Sequence, residues 1–309
     1  MKKITITNKP SFIFSLITLL LAIPSVLVLW LVLTFTNTNN FINAVAPVAK
    51  NQNVQKYASE TVTNSIVNNL NVDDLTTTLI GSTPFKIISP QWIKVMIQPV
   101  VQNGVNQIIS SNQFYEVLVR SLTLVHKTTM HELNIHSSGL ILNFHPLVVS
   151  TVAELNKMGL GKITDSLNVS QNTGIIKFDT SRLDKLRHNY QQTILIAKVI
   201  IILPIITLIV AVYLSRTRLK TFSNIYLYSS VLLFILLLAV LCIPSFVSTS
   251  NPDQAAAIRA SITIITHSLV VNTAILAVLL LTIGALIKKY ETQVDALFSN
   301  LVSKIRKNK

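Results

Sequence analysis

His126, His131 and His136 recur at intervals of five residues, the one pattern of metal-ligand type in this chain. Ligands on one helix face sit at i and i+4. A step of five residues turns about 500°, leaving successive side chains about 140° apart. The run His131-Glu132-Leu133-Asn134-Ile135-His136 carries one residue too many for a zinc-protease motif. We therefore expect no metal site. Gly159-Leu160-Gly161-Lys162 echoes a phosphate loop, but that motif needs glycine where Asn156 stands and Ser or Thr where Ile163 stands. Asp73, Asp74, Asp179 and Asp184 suit caps and surface positions, and no nucleophile is paired with a base at a recognisable spacing. The expectation is a non-enzyme without a cofactor.

Those residues are carried by a chain built largely of apolar helices. Apolar residues make up 50% of it and charged residues 12%, where a soluble domain averages roughly 25% charged. Four stretches match the roughly 20 apolar residues that a bilayer core demands. They give transmembrane helices over 11–36, 193–214, 225–247 and 264–287. A barrel strand would need only about 9–11 alternating residues, and these runs are longer and apolar all round. A signal peptide's apolar region is also shorter, at about 7–15 residues. Pro47, just after the small-residue site Ala44-Val45-Ala46, disfavours cleavage there. The first stretch reads as a retained anchor.

Basic residues set the expected orientation. Lys2, Lys3 and Lys9 precede the first span, Arg216, Arg218 and Lys220 follow the second, and Lys288, Lys289, Lys304, Arg306, Lys307 and Lys309 follow the fourth. Twelve of the 26 lysines and arginines thus lie in three flanks that topology puts on one side. The expected localisation is the plasma (inner) membrane, multi-pass. The N-terminus (1–10), the loop 215–224 and the tail 288–309 are cytoplasmic. Residues 37–192 form an extracytoplasmic domain, and 248–263 a short outer loop. The net charge of +14 then serves anionic inner headgroups. No nucleic acid partner is expected, because aromatic and basic residues do not interleave.

The fold class is a mainly α membrane protein: four transmembrane helices plus a mostly helical extracytoplasmic domain with a small β hairpin or sheet. Val54, Tyr57, Ala58, Val62, Ile66 and Leu70 predict a helix over about 52–70. A second is expected from Trp92 to Ile109, broken or kinked at Pro99. A third is capped by Asn112 and faces inward with Phe114, Val117, Leu118, Leu122 and Val125. Leu140, Leu142 and Phe144 alternate beside Ser137-Ser138-Gly139, which predicts a hairpin. Gly174–Phe178 gives a further short strand. Pro146 to Gly159 frames another helix. A last helix begins near Asp179–Ser181 and runs into the second span without a breaker, so that one rod covers Arg182 to Leu214. The lone cysteine, Cys242, allows no internal disulfide and is expected to be a buried apolar side chain.

Within the spans no Asp or Glu occurs. Lys198 is read as snorkelling to the interface. Asn272 and Thr273 lie deeper and are candidates for interhelical hydrogen bonds. In the tail, Val294, Leu297, Phe298, Leu301, Val302 and Ile305 share a helix face, with Lys304 and Arg306 at the basic end. That pattern suits a helix lying in the inner interface, or one docked on a cytoplasmic protein.

Ile175-Ile176-Lys177-Phe178-Asp179, then Leu183, Leu186 and Tyr190, then the basic exit Arg216-Thr217-Arg218, give the chain a layout. It resembles a loose group of uncharacterised bacterial four-span integral membrane proteins with one extracytoplasmic domain. The resemblance implies topology and no activity. The layout is also similar to mechanotransmission permeases of ATP-driven envelope machines, although the loop Ser215–Asn224 is short for a coupling helix. The leading expectation is a non-catalytic envelope interaction or scaffold protein whose outer domain binds another envelope protein or a second copy. The alternatives are a permease-like or signal-transducing subunit coupled to a cytoplasmic ATPase, and a small channel or transporter.

Overall fold

Long apolar runs without internal polar breaks form helices, because only a helix satisfies its own backbone groups away from water. The computed structural model describes residues 9–69, 90–134, 140–143, 145, 148–149, 152–153, 156–157, 173, 175–178 and 180–307. Its elements are α1 (Lys9–Thr36), α2 (Thr38–Val45), α3 (Gln52–Asn69), α4 (Pro90–Ile109), α5 (Asn112–Asn134), β1 (Leu140–Asn143), β2 (Ile175–Phe178), α6 (Thr180–Leu214), α7 (Arg218–Cys242) and α8 (Pro252–Lys307). Four helical segments are long and apolar enough to cross a membrane, as in a multi-pass membrane protein: Lys9–Thr36, Arg187–Leu214, Arg218–Phe246 and Pro252–Glu291. The chain divides into two compact units. One holds residues 1–36, 190–243 and 266–309, and the other holds 37–189 and 244–265.

In the first unit, α1, α7 and α8 share an apolar core of Leu233, Leu236, Val240, Leu269 and Ala277, with Ile23, Leu27 and Trp30 packed against it. Hydroxyls fasten the helices together. On α7, Ser223 donates to the Gly284 carbonyl at 2.8 Å and Ser230 to the Ala277 carbonyl at 2.9 Å. A Cβ at Gly284 would stand 3.0 Å from Leu227 Cγ, so the absent side chain is what lets α7 come this close. On α1, Ser11, Thr18 and Ser25 repeat every seven residues and face α6. Ser11 donates to the Ala211 carbonyl at 2.7 Å, and Thr18 bonds the Thr207 hydroxyl at 2.9 Å.

The third contact of that row answers a defect in α6. Pro204 lies inside α6 and has no N–H, so the carbonyl four residues back, on Ile200, lacks its helical donor. Ser25 Oγ lies 2.9 Å from that carbonyl. It also lies 2.5 Å from the Leu21 carbonyl, but within α1 that group already receives the Ser25 backbone N–H. The proton therefore does most for Ile200. Thr207, which accepts from Thr18, donates to the Pro204 carbonyl at 3.1 Å within α6.

The second unit centres on α3 and α4. Ile66, Val101, Val105, Ile108 and Ile109 are buried there, with Ala58, Ile97 and Phe114 alongside. Helix α4 starts at Pro90 and continues through Pro99, so of the break or kink expected there the break does not occur. Helix α5 is capped one residue earlier than expected: the Phe114 N–H donates to Ser111 Oγ at 3.1 Å. Strands β1 and β2 pair antiparallel, Leu140 opposite Phe178 and Asn143 opposite Ile175. The partner of Leu140–Asn143 is thus a segment far along the chain. The turn expected at 137–139 and the connection over 83–89 lie outside the described residues.

Helix α8 begins at Pro252, well before the expected start of the fourth span. Asn251 caps it by accepting from the N–H groups of Asp253 (2.9 Å) and Gln254 (3.2 Å). Most of what the sequence presents as an outer loop is therefore helix. Cys242 is exposed, not buried, because the end of α7 turns it away from the packed helices.

Replacing Ser25 with Ala should destabilise the first unit by about 0.6–1.7 kcal/mol, the range for hydrogen bonds between membrane helices. In a Pro204→Ala background, where position 204 regains its N–H, the same change should cost almost nothing. A double-mutant cycle of unfolding in mixed micelles reads the difference. Equal costs in both backgrounds would show that Ser25 does not serve the Ile200 carbonyl.

Candidate functional site

In the second unit, α3 and α4 lie close because small side chains meet between them. Ser59 and Thr63 of α3 are fully buried, and Val101 and Val105 of α4 are nearly so. Beside this seam the two helices expose polar rows at helical spacing. Gln52, Asn53, Gln55 and Asn64 from α3 and Gln98, Gln102, Asn103 and Asn106 from α4 line a groove of about 820 Å³. That volume is within the roughly 300–1,000 Å³ of small-molecule sites.

Each amide offers one carbonyl acceptor and two N–H donors without charge. Some are already committed. Gln102 Nε2 donates to Ser59 Oγ at 2.9 Å, and Gln55 Nε2 to the Ala49 carbonyl at 2.9 Å. The two charges in the lining, Lys56 and Glu60, are opposite and 4.0 Å apart. The groove is therefore polar yet close to neutral. Its one hydroxyl, Ser110, is bonded to the Asn106 carbonyl at 2.6 Å, and the lining places no base beside it. Such a wall can orient a ligand rich in hydroxyls or amides.

At the groove's rim, Lys56 Nζ donates to Asp253 Oδ1 at 2.8 Å, joining α3 to the first turn of α8 within this unit. Elsewhere in the unit Arg187 is buried. Its Nε donates to the Glu132 carbonyl at 2.8 Å, and its guanidinium stands 3.7 Å from the Glu132 carboxylate. This pair ties the end of α5 to α6. Nothing in the local sequence marked Arg187, since its partner is 55 residues away.

No family model, curated protein or solved structure matches the chain. The site therefore rests on its own geometry. Among the expected histidines, His126 is buried, stacked on Phe41 with centroids 4.2 Å apart, and its Nδ1 is 3.1 Å from Thr38 Oγ1. His131 is exposed, and His136 lies outside the described residues. Among the described residues no three His, Cys, Asp or Glu side chains come together.

The structure separates Asn272 from Thr273. Thr273 is buried, and its hydroxyl has no hydrogen-bond partner among the described residues. Asn272 is exposed on a different face of α8, as one residue's turn of about 100° requires. Among the described residues, interhelical bonds come from Ser11, Thr18, Ser25, Ser223 and Ser230, whose seven-residue spacing was the available signal, and from Trp30, whose Nε1 donates to Ser268 Oγ at 2.9 Å. Lys198, Arg216, Arg218, Lys220, Lys288 and Lys289 are all exposed. The segment holding Val294, Leu297, Phe298, Leu301, Val302, Lys304, Ile305 and Arg306 continues α8 as helix to Lys307, with no break after the apolar stretch.

The Asp253 hydrogen bond, and then its charge, hold the Lys56 ammonium above the ordinary lysine value of 10.5. Because the folded value is raised, whatever the pair contributes is fully present below 10.5 and fades as pH climbs through the folded value. An NMR titration of Lys56 should give a midpoint above 10.5 that falls back in Asp253→Asn. An unshifted midpoint would mean that the pair does not form in solution.

Proposed function

We propose that this is a non-catalytic protein of the plasma membrane, multi-pass with both termini cytoplasmic, that binds an envelope protein or a second copy through the unit inserted between its first two apolar helices. The reading extends the likeness to four-span membrane proteins with one extracytoplasmic domain. The observation that carries it is the groove between α3 and α4. Eight side-chain amides line it, with no nucleophile and base paired among them. A wall of neutral donors and acceptors suits an extended, uncharged stretch of polypeptide, whose N–H and C=O groups need partners when they leave water. The positive flanks of the apolar helices support the orientation.

A photo-crosslinking residue at Asn103, which is exposed in the groove, should yield one discrete protein adduct in intact cells. Asn64→Trp with Asn106→Trp fills the groove from both helices and should cut that adduct about tenfold, equivalent to ~1.4 kcal/mol of binding. A crosslinker at Gln113, outside the groove, is the control. The same adducts from both positions would sink the proposal.

A second reading, a subunit moved by a cytoplasmic ATPase, draws support from α8, which continues unbroken past its apolar stretch to Lys307. Deleting residues 290–309 should then abolish a specific ATPase association in co-purification. An association that survives the deletion counts against this reading.

A further inference from the structure

We infer that the first unit holds a seat for one anionic phospholipid, in the cleft where the N-terminal end of α1 meets the loop between α6 and α7. The cleft has a volume of about 300 Å³ and two unlike walls. Ser215, Thr217, Thr221 and Asn224 form a polar wall, and Phe12, Leu16 and Tyr228 form an apolar one. These apolar side chains are open, at 69%, 47% and 59% exposure.

Three features select the ligand. First, the cleft stands where three apolar helices end together: α1 begins at Lys9, α6 stops at Leu214 and α7 starts at Arg218. In a bilayer that level is the headgroup layer. Second, its charge is of one sign. Lys9, Arg216, Arg218 and Lys220 are exposed around it, and residues 9–36 and 190–243 contain no Asp or Glu. These two segments hold no carboxylate to neutralise them, and just past the apolar stretch of α8 Lys288 and Lys289 outnumber Glu291, so the balance of charge favours an anion from outside the protein.

Third, the polar wall has bonding capacity to spare. Ser215 Oγ is taken up by Thr221 Oγ1 at 2.6 Å and by the Thr217 N–H at 3.2 Å. The Thr217 hydroxyl makes no cap bond to α7, and the half-buried Asn224 amide makes no side-chain bond among the described residues. A phosphate accepts from both. The apolar wall has no use for free phosphate, but it continues into the hydrocarbon layer, where an acyl chain lies. One molecule, phosphate at one end and chain at the other, matches both walls. The inference depends on the four helices crossing a bilayer and is independent of what fills the groove between α3 and α4.

The test is native mass spectrometry of the full-length protein released from nanodiscs of phosphatidylglycerol mixed with phosphatidylcholine. The expected result is one retained phosphatidylglycerol per chain, favoured over phosphatidylcholine by at least about tenfold. The triple variant Arg216→Gln, Arg218→Gln, Lys220→Gln should lose that preference. Asn224→Leu, which keeps every charge but replaces the amide with an apolar group of similar shape, should weaken retention about tenfold. Thermal unfolding in lipid-free detergent, unchanged in Asn224→Leu, serves as the folding control. Equal retention of phosphatidylcholine would overturn the inference. So would full retention by Asn224→Leu, which would place the lipid on the basic surface and not in the cleft. Displacement by millimolar inorganic phosphate would reassign the cleft to a soluble anion.

Discussion

A backbone carbonyl inside an apolar layer must have a donor, and Pro204 removes one. One contact of α1 on α6 answers that demand. The orphaned Ile200 carbonyl can be reached only from a neighbouring helix, by a short side chain with a hydroxyl at its end. Ser25 is such a residue, 2.9 Å away. Its register then places Thr18 opposite Thr207 and Ser11 opposite the Ala211 carbonyl, one heptad and two heptads along. Helices bathed in hydrocarbon gain little from burying more hydrocarbon, so close contact of small residues and shared hydrogen bonds must hold them. The same device recurs between α7 and α8, where Ser223 and Ser230 reach carbonyls and Gly284 leaves room for the approach.

The second unit obeys a different rule, because its helices α3, α4 and α5 are far less apolar than the long apolar segments of the first. Its apolar core is modest, and buried polar groups share the interior: Ser59, Thr63, Ser121, His126 and Arg187. Arg187 is the costly one, since a buried charge needs a partner, and Glu132 supplies both a carboxylate and a carbonyl. The segment 244–265 belongs to this unit even though it joins two apolar helices. Lys56 and Asp253 make that membership visible, and Arg259, donating to the Val247 carbonyl at 2.8 Å, folds the segment on itself.

The apolar helices were legible in the sequence because hydropathy over some twenty residues is a one-body property: each residue votes without reference to a partner. Helices α3, α4 and α5 were legible for a similar reason, through their 3.6-residue rhythm. Whatever depends on pairs was not. The partner of Leu140–Asn143 is a strand beginning at Ile175, and alternation alone cannot name it. Pro99 left a break and a kink both open, and α4 runs through it unbroken. Asn272 and Thr273 looked equivalent as polar residues in a span, while adjacency forces them onto different faces. The serine heptads were in plain view, but small hydroxyl residues carry almost no hydropathy signal, and only the freed carbonyl of Ile200 gives Ser25 its purpose. The groove is of the same kind: amides along α3 and along α4 make one site only because the two helices are neighbours.

Polar chemistry in this chain is sorted by where water ends. Inside the apolar helices it consists chiefly of hydroxyls, several of them spent on carbonyls. At the ends of those helices it is cationic and unopposed by any carboxylate in residues 9–36 or 190–243. In the inserted unit the groove is walled by neutral amides. Each class implies a different kind of recognition. Unopposed cations attract anions at a distance and weaken as salt screens them. Amides act only at contact, are indifferent to salt, and discriminate by the direction of each donor and acceptor. A ligand of the groove must therefore be selected by shape and hydrogen-bond pattern, and one of the basic cleft by charge first. The two sites should therefore differ in their response to ionic strength, the cleft steeply and the groove hardly at all, because one is built chiefly from charges and the other chiefly from dipoles.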